Sequence, residues 1–252
     1  RLAEAGYAGA DKLVPLTFLI IIATVVIQSA TARPLARVLG VTEPPPRGVL
    51  LVGANNVGRA IGQALKGLEI PVLLADANWD NINAARMDGL PVYYGNPTSE
   101  HAERHLELTG LGRLMAVSPR SDLNTLACLH FAKEFGQHNV FRLPPGERDL
   151  RLPAEIRRRH RKDNTLFSDD ATYSKLASLL AQGGSVKATK LTEEFGYADY
   201  VERRDAATVP LFAMDPRGRI RIFGGEEDPE PGPGWIMVAL VPNGEQRRND
   251  AS

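Results

Sequence analysis

Apolar and polar positions divide this chain into two regimes. From Leu13 to Ala32 the run LVPLTFLIIIATVVIQSATA carries no charged side chain and is bounded by Lys12 and Arg33. As a helix at about 1.5 Å per residue it would measure about 30 Å, the thickness of a bilayer's hydrocarbon core. The block from Ile20 to Ile27 is β-branched, but the run is too long for an ordinary strand. Pro15 falls in what would be the first turn, where a missing N–H costs little. Three readings are open: a signal peptide, for which Ser29-Ala30-Thr31-Ala32 resembles a cleavage site; a buried core helix; and a transmembrane helix, which length and lack of charge favour. The chain starts without Met in a polar stretch, and we read it as the C-terminal part of a longer membrane protein. Arg33, Arg37 and Arg47 follow the run, whereas Arg1 and Lys12 precede it. That asymmetry slightly favours placing the body of the chain, after about residue 33, in the cytoplasm. Thr42 to Arg47, TEPPPR, reads as a short stiff linker.

Beyond the prolines, short apolar runs recur at Val49–Val52, Val72–Ala75, Val92–Tyr94, Leu114–Val117 and Val140–Leu143. Helical patterns lie between them at Gly58–Lys66, Asn81–Met87, Glu100–Leu108 and Leu123–Phe135. Repeated strand–helix alternation predicts a parallel sheet covered by helices on both faces. Gly67, Gly89, Gly110 and Gly136 punctuate it where helices end or turns fall.

Residues 144–164 break the pattern with Pro144-Pro145 and the basic run Arg157-Arg158-Arg159-His160-Arg161-Lys162. This reads as a solvated linker or, more sharply, as a surface facing anionic lipid headgroups. A smaller α+β module follows: an amphipathic helix over Asp169–Gln182, with Leu176, Leu179 and Leu180 on one side, then strands at Ser185–Leu191, Val209–Met214, Arg219–Phe223 and Trp235–Val241. Pro216-Arg217-Gly218 predicts a hairpin. Glu226–Gly234 reads as a loop, and residues 244–252 as a disordered tail.

Composition narrows the function. The 252 residues carry 30 Lys+Arg against 30 Asp+Glu, and a neutral chain lacks the basic footprint that nucleic acid requires. The single cysteine, Cys128, excludes an intrachain disulfide framework and Cys-rich metal sites.

The chemistry concentrates after the first strand. Gly53-Ala54-Asn55-Asn56-Val57-Gly58 opens a helix in the position of a dinucleotide loop, which takes glycine at its first, third and sixth places. Gly53 and Gly58 match, and Asn55 stands at the middle place, where backbone would approach a pyrophosphate. The helix start still offers N–H groups and a partial positive charge to an anion. Asp76 ends the second strand 23 positions after Gly53, where an acid would bind the ribose hydroxyls of NAD(H) or an adenine nucleotide and disfavour a 2′-phosphate. A tight strand–helix turn without ligand is the competing reading.

Other candidates are weaker. His101 and His105 share a helix face, but the Glu is misplaced for H-E-x-x-H, so a solvated face is favoured and no metal site is predicted. His130 reads as a packed helix residue, and Cys128 as a buried, inert thiol. No nucleophile motif is present, so no catalytic residue is assigned.

These pieces resemble a family. VLLVGANNVGRAIGQAL, VLLADANWDNINAARMDGL, VYYGNPTSEHAERHL and LMAVSPRSDLNTLACLHFAKEFG, together residues 48–143, look like the nucleotide-binding lobe of RCK (TrkA-N, or KTN) domains. PLTFLIIIATVVIQSATARPLARVLGV, ending at Val41, resembles the last transmembrane helix and exit of bacterial sodium:proton antiporters of the Na+/H+ exchanger superfamily. The resemblance implies an α/β fold: one transmembrane helix, a Rossmann-like doubly wound parallel-sheet domain, and the smaller α+β module. It implies these segments: 1–42 membrane helix and flanks, 43–47 linker, 48–143 RCK domain, 144–164 basic linker, 165–243 accessory module, 244–252 tail. Function would be nucleotide-sensing regulation of a monovalent cation:proton antiporter in the bacterial inner membrane, not enzymatic turnover. The alternatives are a membrane-tethered NAD-dependent oxidoreductase and an RCK lobe of a potassium channel or transporter. Carried onto this sequence, Gly53, Asn55, Asn56, Val57 and Gly58 would contact phosphate. Asp76 and Asn78 would hold ribose and adenine, and Gly95, Asn96 and Ser118 would line the crevice. The ligand would be NAD(H), ATP, ADP or AMP. Where the family often has an acid after the third-strand glycine, this chain has Asn96. The implied partners are the rest of the antiporter's transmembrane domain, the lipid bilayer and a second copy of the lobe.

Overall fold

A computed structural model describes residues 10–39, 46–146, 165–224 and 229–245. The basic run 157–162 and the tail from 246 onward lie outside the described residues. The chain divides into two compact units, Arg1–Pro44 and Pro45–Ser252.

Among the described residues the first unit holds one helix, α1 (Ala10–Val38). It starts earlier than the apolar run and ends later, so Pro15 lies inside it rather than in its first turn, and Pro34 lies inside it too. Each proline removes one N–H from the ladder. Pro15–Ala32 is long and apolar enough to cross a membrane, and none of it is buried within the chain. Leu16, Phe18, Leu19, Ile20, Ile21, Ile22, Val25, Val26 and Ile27 are each more than half exposed, so α1 is not a core helix of the described fold. The Thr24 and Thr31 hydroxyls donate back to the carbonyls of Ile21 and Ile27 at 2.9 and 2.7 Å. That satisfies two polar groups within the helix itself.

The second unit begins with five short strands, β1 (Gly48–Val52), β2 (Val72–Asp76), β3 (Val92–Tyr94), β4 (Leu111–Ala116) and β5 (Val140–Arg142), all parallel in the order β3-β2-β1-β4-β5. Helices α2 (Asn56–Gly67), α3 (Trp79–Met87), α4 (Glu100–His105) and α5 (Ser121–Phe135) make the connections. Every residue of β1 is buried, because alternate side chains feed two cores. Val49 and Leu51 join Ile61, Leu65 and Ile82 on one face, and Leu50 and Val52 join Ala102, Leu114 and Phe131 on the other. This is why the strands read as continuous apolar runs. The strand order reverses between β1 and β4, the crevice-forming switch point of an open α/β sheet.

The chain then builds α6 (Tyr173–Ala181), β6 (Ser185–Lys190), α7 (Tyr197–Arg203), β7 (Val209–Met214), β8 (Ile220–Ile222) and β9 (Ile236–Val241). The four strands form an antiparallel sheet, β6-β9-β7-β8, and Pro216-Arg217-Gly218 makes the β7–β8 hairpin as expected. Val209, Phe212, Ile220 and Val238 pack into the same core as Val49, Leu51 and Ile61. Residues 165–167 stitch the two sheets together. The Leu166 N–H donates to the Arg142 carbonyl at 2.8 Å, and the Phe167 N–H to the Phe223 carbonyl at 2.6 Å.

Candidate nucleotide site

The site forms where β1 turns into α2. Gly53 has φ +114, and a Cβ there would lie 3.0 Å from the Ser118 amide, so only glycine fits this turn against the end of β4. A Cβ on Gly58 would overlap the Gly53 carbonyl oxygen, which sets the close approach of α2 to the strand. Between them, Asn55 caps the helix. Its Oδ1 accepts from the amides of Val57 and Gly58, each at 3.0 Å, and its Nδ2 donates to the Val117 carbonyl at 2.9 Å. Asn56 Oδ1 also accepts from the Val57 amide, at 2.9 Å, and the Tyr173 hydroxyl of α6 donates to it at 3.2 Å.

Asp76, at the end of β2, clamps three elements. Its Oδ2 accepts from the Ala54 amide at 2.8 Å and from Asn81 Nδ2 at 2.9 Å, and its Oδ1 accepts from the Asn78 amide at 2.9 Å. A carboxylate offers about four acceptor positions, so about one remains for a ligand hydroxyl. The Asn78 side chain is committed to capping α3 through the Asp80 and Asn81 amides, at 2.8 and 3.3 Å. Asn96 Oδ1 likewise accepts from the amide and hydroxyl of Thr98, at 3.1 and 2.9 Å. Buried Asn124 fixes the loop after β4 by two hydrogen bonds with Ser118: the Ser118 amide donates to its Oδ1 at 3.0 Å, and its Nδ2 donates to the Ser118 carbonyl at 2.8 Å.

A cavity of about 710 Å³ opens over the strand ends. Gly53, Asp76, Asn78, Asn96 and Ser118 line it, while Asn55, Asn56, Val57, Gly58 and Gly95 do not. Val57 and Gly58 are buried, and Gly95, with φ +147, sits against the Tyr93 ring. Pro97, Pro119, Leu123 and Leu126 supply an apolar wall that sequence reading did not assign, and a purine base needs such a wall. Arg120 and Asp122 also border the cavity. They form an exposed ion pair at 2.7 Å, and hydrogen bonding from the Arg120 side chain holds the Asp122 carboxyl below its usual range. The Tyr173 hydroxyl is shifted upward, first by burial and then by the charge of Asp76. The residues fit the base and ribose of an adenine nucleotide. The amides at the start of α2 are turned to Asn55.

Elsewhere, the His101 and His105 rings stack with centroids 4.0 Å apart, and His105 Nδ1 lies 2.9 Å from the His101 carbonyl. His130 packs edge-on to Phe131. Cys128 is half-buried rather than buried.

The fold and crevice define a Rossmann-like nucleotide-binding lobe. Residues 49–142 match the family model described as TrkA-N domain. No curated protein matches the chain. Among solved structures, the GsuK RCK domain shares 14% identity over 83% of this chain and 47% of its own, with a TM-score of 0.39. The TrkA-N domain of the inner membrane protein ybaL from Escherichia coli shares 17% identity over 49% of this chain and 87% of its own, with a TM-score of 0.37. The GsuK channel bound to NAD shares 15% identity over 84% of this chain and 39% of its own, with a TM-score of 0.40. The chain thus spans about half the length of the GsuK RCK structure.

Proposed function

We propose that this chain is the membrane exit and nucleotide-sensing regulatory lobe of a monovalent cation:proton antiporter. In this reading α1 is the last membrane helix, in the bacterial inner membrane, and the chain after about residue 33 is cytoplasmic. The exposure of its apolar side chains all round supports a non-aqueous setting. Residues 43–47 link it to the lobe, 144–164 form a second linker, and 165–243 act as an accessory module. Two lobes pair, as in an antiporter dimer.

The observation that carries the ligand reading is the cavity at the β1–β4 switch point with Asp76 on its wall. The TrkA-N match makes NAD(H) the first ligand to test, followed by ATP, ADP and AMP. Asp76 takes a ribose hydroxyl, the apolar wall takes the base, and Gly53, Asn78, Asn96 and Ser118 shape the crevice. Ligand shifts the lobe between two conformations, and the linker passes that shift to α1. Allosteric coupling of this kind is typically about 1–3 kcal/mol.

The test is flux. In vesicles carrying the full-length transporter, sodium or potassium should dissipate a pH gradient at a rate that changes with nucleotide on the lobe side, and Asp76→Ala should abolish the change. Flux indifferent to every nucleotide would remove the regulatory role, and no cation-driven dissipation would remove the antiporter.

A further inference from the structure

A glycine-rich strand–helix turn binds diphosphate by pointing the first free amides of the helix at phosphate oxygens. In this chain those amides already have an acceptor. Asn55 Oδ1 lies 3.0 Å from both the Val57 and Gly58 nitrogens, the geometry a phosphate oxygen would adopt. Its Nδ2 is tethered to the Val117 carbonyl at 2.9 Å, so the side chain spans the switch point from the β1 loop to the end of β4. Asn55 is 6% exposed.

A second observation agrees. The cavity reaches Val52 and Gly53 at the end of β1, but none of Asn55, Asn56, Val57 or Gly58 lines it. Nor does the backbone demand asparagine: φ −67 and ψ −178 suit any residue, and the helix would accept other caps.

We propose that Asn55 is the specificity-determining residue of the crevice, its carboxamide standing in for the ligand's diphosphate. This rests on the nucleotide reading above and sharpens it. Adenosine binds with Asn55 in place. A diphosphate reaches the start of α2 only by displacing the carboxamide from its three hydrogen bonds, so ADP and NADH gain little over adenosine. A glycine at this position frees the amides and admits the phosphates.

The test uses the 252-residue chain in lipid nanodiscs, titrated with adenosine, ADP and NADH. In the native chain ADP binds about as tightly as adenosine. In Asn55→Gly, ADP and NADH tighten by about tenfold, the scale of one or two charge-assisted hydrogen bonds, while adenosine stays within about twofold. Asn55→Ser, which keeps a helix cap but is too short to hold the Val117 carbonyl, gains less than glycine in the same direction. A merely structural role for Asn55 would move all three ligands together. An unchanged ADP-to-adenosine ratio in both variants, with binding intact, overturns this proposal alone. Failure of every form to bind any of the three overturns it together with the nucleotide reading.

Discussion

The Tyr173 hydroxyl donates to Asn56 Oδ1 at 3.2 Å, joining residues 117 apart in the sequence. It fastens α6 to the first residue of α2. Removing it with Tyr173→Phe should cost about 0.5–1.5 kcal/mol in urea denaturation, the usual net worth of one hydrogen bond. The pH dependence has a defined sign. Because the folded chain holds this phenol above its ordinary range, its stabilisation is complete below about pH 10 and declines as pH rises through the shifted value. The phenylalanine variant should lack that alkaline decline. Equal alkaline slopes in the two proteins would contradict the assignment.

Asp76 has a structural task beside its proposed ligand role. Its carboxylate receives the Ala54 amide, the Asn78 amide and the Asn81 side chain. Asp76→Ala should lower stability by about 1–3 kcal/mol by orphaning these donors. Asp76→Asn, which keeps one acceptor oxygen, should cost less. Thermal denaturation of both variants checks the order, and the reverse order would contradict it.

Gly58→Ala tests the close approach of α2 to β1. The added methyl meets the Gly53 carbonyl, backbone that cannot turn aside, so overpacking of about 1–3 kcal/mol is expected. An unchanged denaturation midpoint would mean the turn is looser than described.

Asp215 anchors the β7–β8 hairpin. It is 4% exposed. Its Oδ1 accepts from the Arg217 and Arg219 amides, both at 2.9 Å, and its Oδ2 from Arg219 Nε at 2.6 Å. Burial works to raise its carboxyl, but the Arg219 and Arg217 hydrogen bonds outweigh burial and hold it low. That stabilisation is present above the ordinary carboxylate range, near pH 4, and is lost as pH falls through the depressed value. Asp215→Asn should therefore be less stable at neutral pH and show a shallower acid limb in a denaturation series. Identical acid limbs would overturn the role.

Much of this architecture is legible in the sequence because parallel strands buried on both faces must be apolar throughout. The run Val49–Val52 falls within β1, every residue of which is buried, and the apolar runs at Val92–Tyr94 and, in the antiparallel sheet, at Val209–Met214 also coincide with strands. Boundaries governed by caps are less legible. The helix expected from Asp169 begins at Tyr173, because the Thr172 hydroxyl takes the Lys175 amide at 3.3 Å. The helix expected to reach Leu108 ends at His105, because Leu106 turns extended to bury its side chain. Helix α7 has seven residues and a local cap from Asp199 to the Gly196 amide at 2.9 Å, too little pattern to stand out. At the site, Gly53 and Asp76 announce the crevice by spacing. The inward turn of Asn55 had a usable signal, since asparagine immediately before a helix is a strong cap. The approach of Tyr173 to Asn56 had none, being made by tertiary packing alone.

Calorimetric titration measures adenine-nucleotide binding at the crevice over β1, β2 and β4. The 252-residue chain in nanodiscs, titrated with NADH, NAD, ATP, ADP and AMP, should bind at least one of them saturably, one ligand per chain, with binding lost in Asp76→Ala. No saturable binding of any of the five at millimolar concentration, or binding that Asp76→Ala leaves intact, would contradict it.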